Sequence, residues 1–259
     1  MYEKFVANIC SYSNYIIQNK IIYTQRTAMR SITLTLLLSA LSFTLLVADF
    51  YPPTVASSIS SVNGKKIKLT KAFPAKGMSG VVIHNYGSEL KAITSYITYN
   101  GGNSATLVKY EPIIHNSLPS VKPNIKTKDL VIGGYLYNNI LLLAPDAQTY
   151  AKITSAAAKN WIHPDLYAIF LSKEGDQFPT KENLAKFSSK HQVGLVYIVK
   201  RGKGVLYDPI SRRYVSQKKL QGLPTKGQFP FYMRLGKIDS GWFSRDAVGE
   251  YYQMMGAIK

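Results

Sequence analysis

From residue 54 to 143, apolar and polar positions alternate in short runs broken by turn residues. Val55 to Val62 alternates loosely and ends at Asn63-Gly64, the strongest two-residue hairpin signal. Lys65-Lys66-Ile67-Lys68-Leu69 resumes the alternation, Gly80-Val81-Val82-Ile83-His84 follows, and Lys91 to Tyr99 is rich in β-branched and aromatic residues. Asn100-Gly101-Gly102-Asn103 turns the chain into Ala105 to Tyr110. Pro112, Pro119 and Pro123 punctuate a basic loop, and residues 130–143 supply one or two more strands around Asn138-Asn139. Short strands at this spacing predict a β-rich small barrel or sandwich over residues 54–145.

The period changes at Pro145. Asp146 is placed to cap a helix running through Ala158, with Tyr150, Ile153 and Ala157 on one face. Pro164-Asp165 opens a second helix, with Leu166, Ile169 and Phe170 facing inward and Gly175 ending it. Pro179-Thr180 starts a third, with Leu184 and Phe187 inward. Val193 to Val199 reads as a buried strand, Val205 to Tyr207 as its return, and Tyr214-Val215 and residues 229–235 as further strand. The fold class is therefore α+β: the β-rich domain, then a compact α+β unit over 146–243 and a short tail over 244–259.

The N-terminal segment bears on location. Met29-Arg30 precedes an uncharged, mostly apolar run over 32–47, and Ala48 is followed by Asp49 and Pro52-Pro53. A basic start, an apolar stretch and a small-residue exit make a signal peptide over 29–48, with a retained anchor as the competing reading. Residues 1–28 show no defensible period and read as an over-extended start or leader. Cys10, the single cysteine, precedes the apolar run, so it is not placed as the lipid-bearing cysteine of a lipoprotein.

Charge narrows the partners. The net charge is +18, and residues 1–48 carry only Lys4, Lys20, Arg26, Arg30 and Glu3, which leaves +15 for 49–259. Such a balance favours anionic surfaces, here a weak attraction to an anionic envelope. The aromatics alternate with aliphatics instead of interleaving with the basic runs, which argues against single-stranded nucleic acid as a partner. One cysteine excludes a disulfide scaffold and multi-cysteine metal sites.

Catalytic signatures are sparse. No phosphate-cradling glycine loop, G-x-S-x-G elbow or H-E-x-x-H pair occurs, and His84, His115, His163 and His191 fall in four separate segments. His163-Pro164-Asp165 could pair a base with its orienting carboxylate. A helix opened by proline and capped by aspartate accounts for the same residues. Glu174 and Asp176 could act as paired carboxylates, but they flank a helix-ending glycine. The expectation is no enzyme, no cofactor and no metal.

Six segments carry a family likeness: Gly77-Met78-Ser79-Gly80-Val81-Val82-Ile83-His84, Ile162-His163-Pro164-Asp165-Leu166, Phe170-Leu171-Ser172-Lys173-Glu174-Gly175, Gly194-Leu195-Val196-Tyr197, Pro230-Phe231-Tyr232 and Ile238-Asp239-Ser240-Gly241-Trp242-Phe243. In order and spread over most of 59–243, they resemble the N-terminal domain of the bacterial plasminogen-binding (PgbA-type) proteins. The resemblance implies an exported, non-enzymatic protein at the cell surface, on the outer membrane or in the periplasm, binding the lysine-binding kringles of host plasminogen. A kringle recognises an ammonium and a carboxylate joined by an apolar stem, and the terminal Lys259 offers all three. An internal lysine needs an acidic neighbour instead. Better-known members continue into a long Lys- and Glu-rich tail; if that tail binds plasminogen, the shared domain serves as an envelope scaffold or assembly module with envelope proteins as partners.

Overall fold

The computed structural model describes residues 50–87, 90–108, 124–176, 178–235 and 249–258. The signal-like segment over 29–48, the residues before it, the proline-punctuated loop, the Gly-Trp-Phe segment and Lys259 lie outside them. Asp49–Lys259 forms one compact unit.

Six strands close into an antiparallel barrel: β1 (Val55–Asn63), β2 (Lys66–Leu69), β3 (Ser79–Asn85), β4 (Lys91–Gly101), β5 (Ser104–Val108) and β6 (Leu130–Gly133). The order is β1-β2-β5-β4-β3-β6, with β6 pairing back onto β1. The predicted hairpin forms, Asn63 pairing with Lys66 across Gly64-Lys65. In β2 the alternation is literal: Ile67 and Leu69 are buried and Lys66 and Lys68 exposed. Ile59, Val82, Ile97, Ala105 and Val131 join them in the core.

The second sheet has the order β11-β10-β9-β7-β8, from β7 (Asn139–Leu143), β8 (Asn160–Ile162), β9 (Leu195–Lys200), β10 (Lys203–Asp208) and β11 (Arg213–Lys219). β7 runs parallel to both β8 and β9. The change of architecture thus precedes β7 instead of falling at Pro145, because β7 is the strand that β9 and β8 flank. Its residues 140–143 are fully buried, as a strand covered on both faces requires. On one face Ile140, Leu142, Leu195, Tyr197, Val199 and Leu206 continue the core of the barrel. On the other, Leu141, Leu143, Val196, Ile198 and Tyr207 meet the helices.

Those helices are α1 (Ala147–Ser155), α2 (Pro164–Glu174), α3 (Lys181–His191) and α4 (Tyr251–Ala257). Asp146 caps α1 by accepting the Thr149 N–H at 2.6 Å, and Thr180 and Asn183 form a reciprocal capping box on α3. Gly175 ends α2 at φ 72°, the left-handed cap that glycine adopts without penalty. Leu166 departs from the expected inward face; it is 47% exposed, and Tyr167, Ala168 and Leu171 fill the interface instead.

Two further expectations are corrected. Residues 229–235 form no strand: Pro230 has no N–H, and the neighbouring amides bond singly, Gln228 to the Pro145 carbonyl and Tyr232 to that of Ala144. The stretch read as a tail contains α4, whose buried Tyr251 hydroxyl shares its one proton between the Leu143 and Val199 carbonyls at 2.9 and 2.7 Å.

Candidate functional site

His163, Pro164 and Asp165 sit where β8 gives way to α2. The helix cap is His163 and not Asp165, because the imidazole Nδ1 accepts the Asp165 N–H at 3.1 Å. Asp165 is turned instead toward the strap over 229–235. It accepts the Arg234 backbone N–H at 2.8 Å and the Arg234 Nε–H at 3.0 Å. Burial alone would raise the Asp165 pKa, but the two Arg234 hydrogen bonds and the His163 and Arg234 charges outweigh it and hold the carboxyl below its ordinary range. Burial among Tyr150 and Tyr232, with centroids 5.2 and 6.3 Å away, lowers the His163 pKa despite the Asp165 charge. The structure brings His163 and Asp165 together, within 3.2 Å, and engages both in joining β8, α2 and the strap.

Glu174 and Asp176 are not a carboxylate pair. Asp176 accepts from Asn183 Nδ2 at 3.2 Å, in the network of the α3 cap. Glu174 faces solvent and pairs with Lys186 Nζ at 3.4 Å, with side-chain exposures of 37% and 65%. A lysine ammonium beside a carboxylate on an open surface, at the meeting of α2 and α3, is thereby presented.

Asp208, at the end of β10, gave no sequence signal and is fully buried. Its Oδ2 accepts the Ser79 N–H at 2.8 Å and the Tyr137 hydroxyl at 2.6 Å, and its Oδ1 accepts the Ile210 and Ser211 N–H groups at 2.9 and 3.0 Å. Burial raises its pKa against the lowering effect of these bonds. Burial, followed by the Asp208 charge, pushes Tyr137 up as well. Ser79 belongs to the barrel and Asp208 to the second sheet, so this carboxyl is the polar joint between them.

The described end of the chain is held by β9 and β11. Lys200 Nζ donates to the Tyr214 hydroxyl at 2.9 Å and to the Ile258 carbonyl at 2.8 Å, and the Tyr214 hydroxyl reaches the same carbonyl. Burial and the charges of Lys203 and Lys181 lower the Lys200 pKa. Ile258 also lines an open cavity of about 530 Å³ between α4 and the start of α3, with Phe178, Lys181, Glu182 and Met254. The fold also brings basic groups over aromatic rings that are distant in sequence: Lys218 lies 4.4 Å from the Phe50 ring centroid and Lys159 5.4 Å from that of Tyr51. Among the described residues, no three His, Cys, Asp or Glu side chains group as a metal site, and no helix is long and apolar enough to cross a membrane.

The family described as plasminogen-binding protein pgbA N-terminal matches residues 54–255, from the first barrel strand into α4. The chain belongs to that family. Two curated relatives, both named plasminogen-binding protein PgbA, come from Helicobacter pylori: strain J99 at 29% identity and strain 26695 at 28%, each over 145 residues. Each alignment covers 55% of this chain and 31% of the relative, so the chain spans about a third of the length of the curated proteins it matches. No solved structure matches. The matched residues take in all eleven described strands and α1 to α3, including the α2–α3 surface that carries Lys186 and Glu174.

Proposed function

We propose that this chain is an exported, non-enzymatic binding protein that captures plasminogen through lysine side chains presented beside carboxylates. The family and the names of its curated relatives support the partner. The observation that carries the mode is the exposed Lys186–Glu174 pair, an internal ammonium with an acidic neighbour. Lys259 is the second ligand, if its α-carboxylate is free. The positive balance of +18 speeds encounter with acidic surfaces but does not supply lysine-specific recognition.

The test is binding of the full chain to immobilised plasminogen, against Lys186→Ala, a variant lacking Lys259, and the combination. Loss in Lys186→Ala alone assigns the internal pair, and loss on deletion alone assigns the chain end. Full binding by the combined variant would overturn both assignments. The alternative, an envelope scaffold or assembly module with envelope proteins as partners, predicts no plasminogen binding by any form.

A further inference from the structure

The barrel carries a surface that plasminogen capture does not use. Ile83 of β3 pairs with Ile93 of β4 on one side and with Leu130 of β6 on the other. Directly paired residues point to one face, so the three make an apolar row across three strands. Val82 and Val131, next along β3 and β6, lie in the barrel core, which puts the row on the outer face. Ile93 is 40% exposed and Leu130 39%. Beyond the row the β3–β4 hairpin continues to Tyr86 and Leu90, joined by the Tyr86 N–H to Leu90 carbonyl bond at 2.9 Å, and these are 44% and 66% exposed.

Lysines surround the same end. β4 and β6 both run antiparallel to β3, so their first residues share the end at which β3 reaches the hairpin. Lys91 opens β4 two residues before Ile93, Lys128 stands two residues before Leu130, and Lys126 is close by; all three are exposed. The described acid at this end, Asp129, is buried and engaged, accepting from Lys126 N–H at 2.7 Å and lying 2.7 Å from His84 Nδ1. In the sequence one acid, Glu89, falls between Tyr86 and Lys91.

Exposed apolar side chains at a tip with a basic collar behind them match the order of a bilayer, acyl chains beneath anionic headgroups. We propose that this end of the barrel docks on an anionic lipid bilayer, inserting Leu90 and Tyr86 and setting Lys91, Lys126 and Lys128 among the headgroups. An acidic protein face would satisfy the lysines, but it gives a projecting leucine and tyrosine no apolar medium. The proposal stands independently of plasminogen binding.

Residues 32–47 are mostly apolar themselves, so bulk co-sedimentation of the full chain would not isolate this surface. The experiment therefore uses a local reporter: the full chain with Cys10→Ser and Leu90→Cys, labelled with an environment-sensitive fluorophore and titrated with vesicles. A second form carries the label at Gln253→Cys, an exposed position of α4. The expected result is a blue shift at position 90 with vesicles of phosphatidylglycerol and phosphatidylcholine, none with pure phosphatidylcholine, and none at position 253. Lys91→Glu with Lys128→Glu should weaken binding on the order of thirtyfold, and 0.5 M salt should weaken it further. No shift at position 90, an equal shift with pure phosphatidylcholine, a shift that survives the double reversal, or a shift at position 253 alone would each overturn the proposal.

Discussion

The barrel and the second sheet solve the same burial problem in opposite ways. In β1 and β2 the barrel buries one face and leaves the other more open: in β2 every second residue is an exposed lysine, and in β1 half-buried Ser58 and exposed Ser60 flank the buried Ile59. The second sheet is covered on both sides, so β9 is buried from Leu195 to Val199 without a break. One region therefore has an outer surface open to chemistry at low structural cost. The other holds the fold, with Tyr167, Phe187, Phe231 and Tyr251 fully buried against it. Surface variation is expected to be tolerated in the first and punished in the second.

The sharpest way to break that contrast is a matched pair of glycine substitutions. A Cβ on Gly194 would lie 2.1 Å from the Leu136 carbonyl oxygen, backbone against backbone, whereas one on Gly64 in the barrel hairpin would meet nothing within 4 Å. Gly194→Ala should lose about 4 kcal/mol or prevent folding. Gly64→Ala, strained only by its φ of +57°, should lose about 1 kcal/mol in a urea titration. Equal losses would dissolve the distinction between the two regions.

The joint between them comes next. Asp208→Ala strands three N–H groups and the Tyr137 hydroxyl and should cost about 3 kcal/mol. Its pH dependence has a definite sign. Because the folded pKa is raised, the folded state holds the proton more tightly, and this group's contribution falls as pH rises from the ordinary carboxylate range through the raised value. Asp165, whose pKa is lowered, contributes the reverse: stability present above its ordinary value and lost as pH falls through the lowered one. Thermal melts across acid pH should show Asp208→Asn flattening the first slope and Asp165→Asn the second. The same slope in both variants would contradict the assignment. Arg234→Ala should be milder, about 0.5–1 kcal/mol, since its side chain is mostly exposed and its backbone bond to Asp165 survives.

The smallest stability effect is expected at the α2–α3 surface. Lys186→Ala breaks an exposed pair and should change stability by less than about 0.5 kcal/mol, whatever it does to plasminogen binding. A large destabilisation there would show that the pair serves the fold.

Much of this was legible in the residues. Asn63-Gly64 gave the hairpin, Asp146, Thr180 and Gly175 gave three helix boundaries, and the lysine–aliphatic alternation of β2 gave the side of the barrel it faces. β8 escaped because its three residues lie between two helices and hold their place only through parallel pairing with β7. Residues 229–235 read as strand from their aromatics, but those rings face the helix layer and the His163 site. Asp208 was invisible for a general reason: an aspartate before proline reads as a turn residue, and only the approach of Ser79, 129 positions away, makes it a joint. Lys186 and Glu174 likewise stand 12 residues apart on separate helices, beyond the reach of any local pattern.

The most direct test of the functional account is competition: the full chain bound to immobilised plasminogen, titrated with a lysine analogue at fixed physiological salt. Recognition of lysine side chains by kringles predicts complete displacement by the analogue and no comparable effect from an equal concentration of sodium chloride. Binding that ignores the analogue but falls away with salt would reduce the interaction to charge attraction, and no binding at all would contradict plasminogen capture and leave the envelope scaffold.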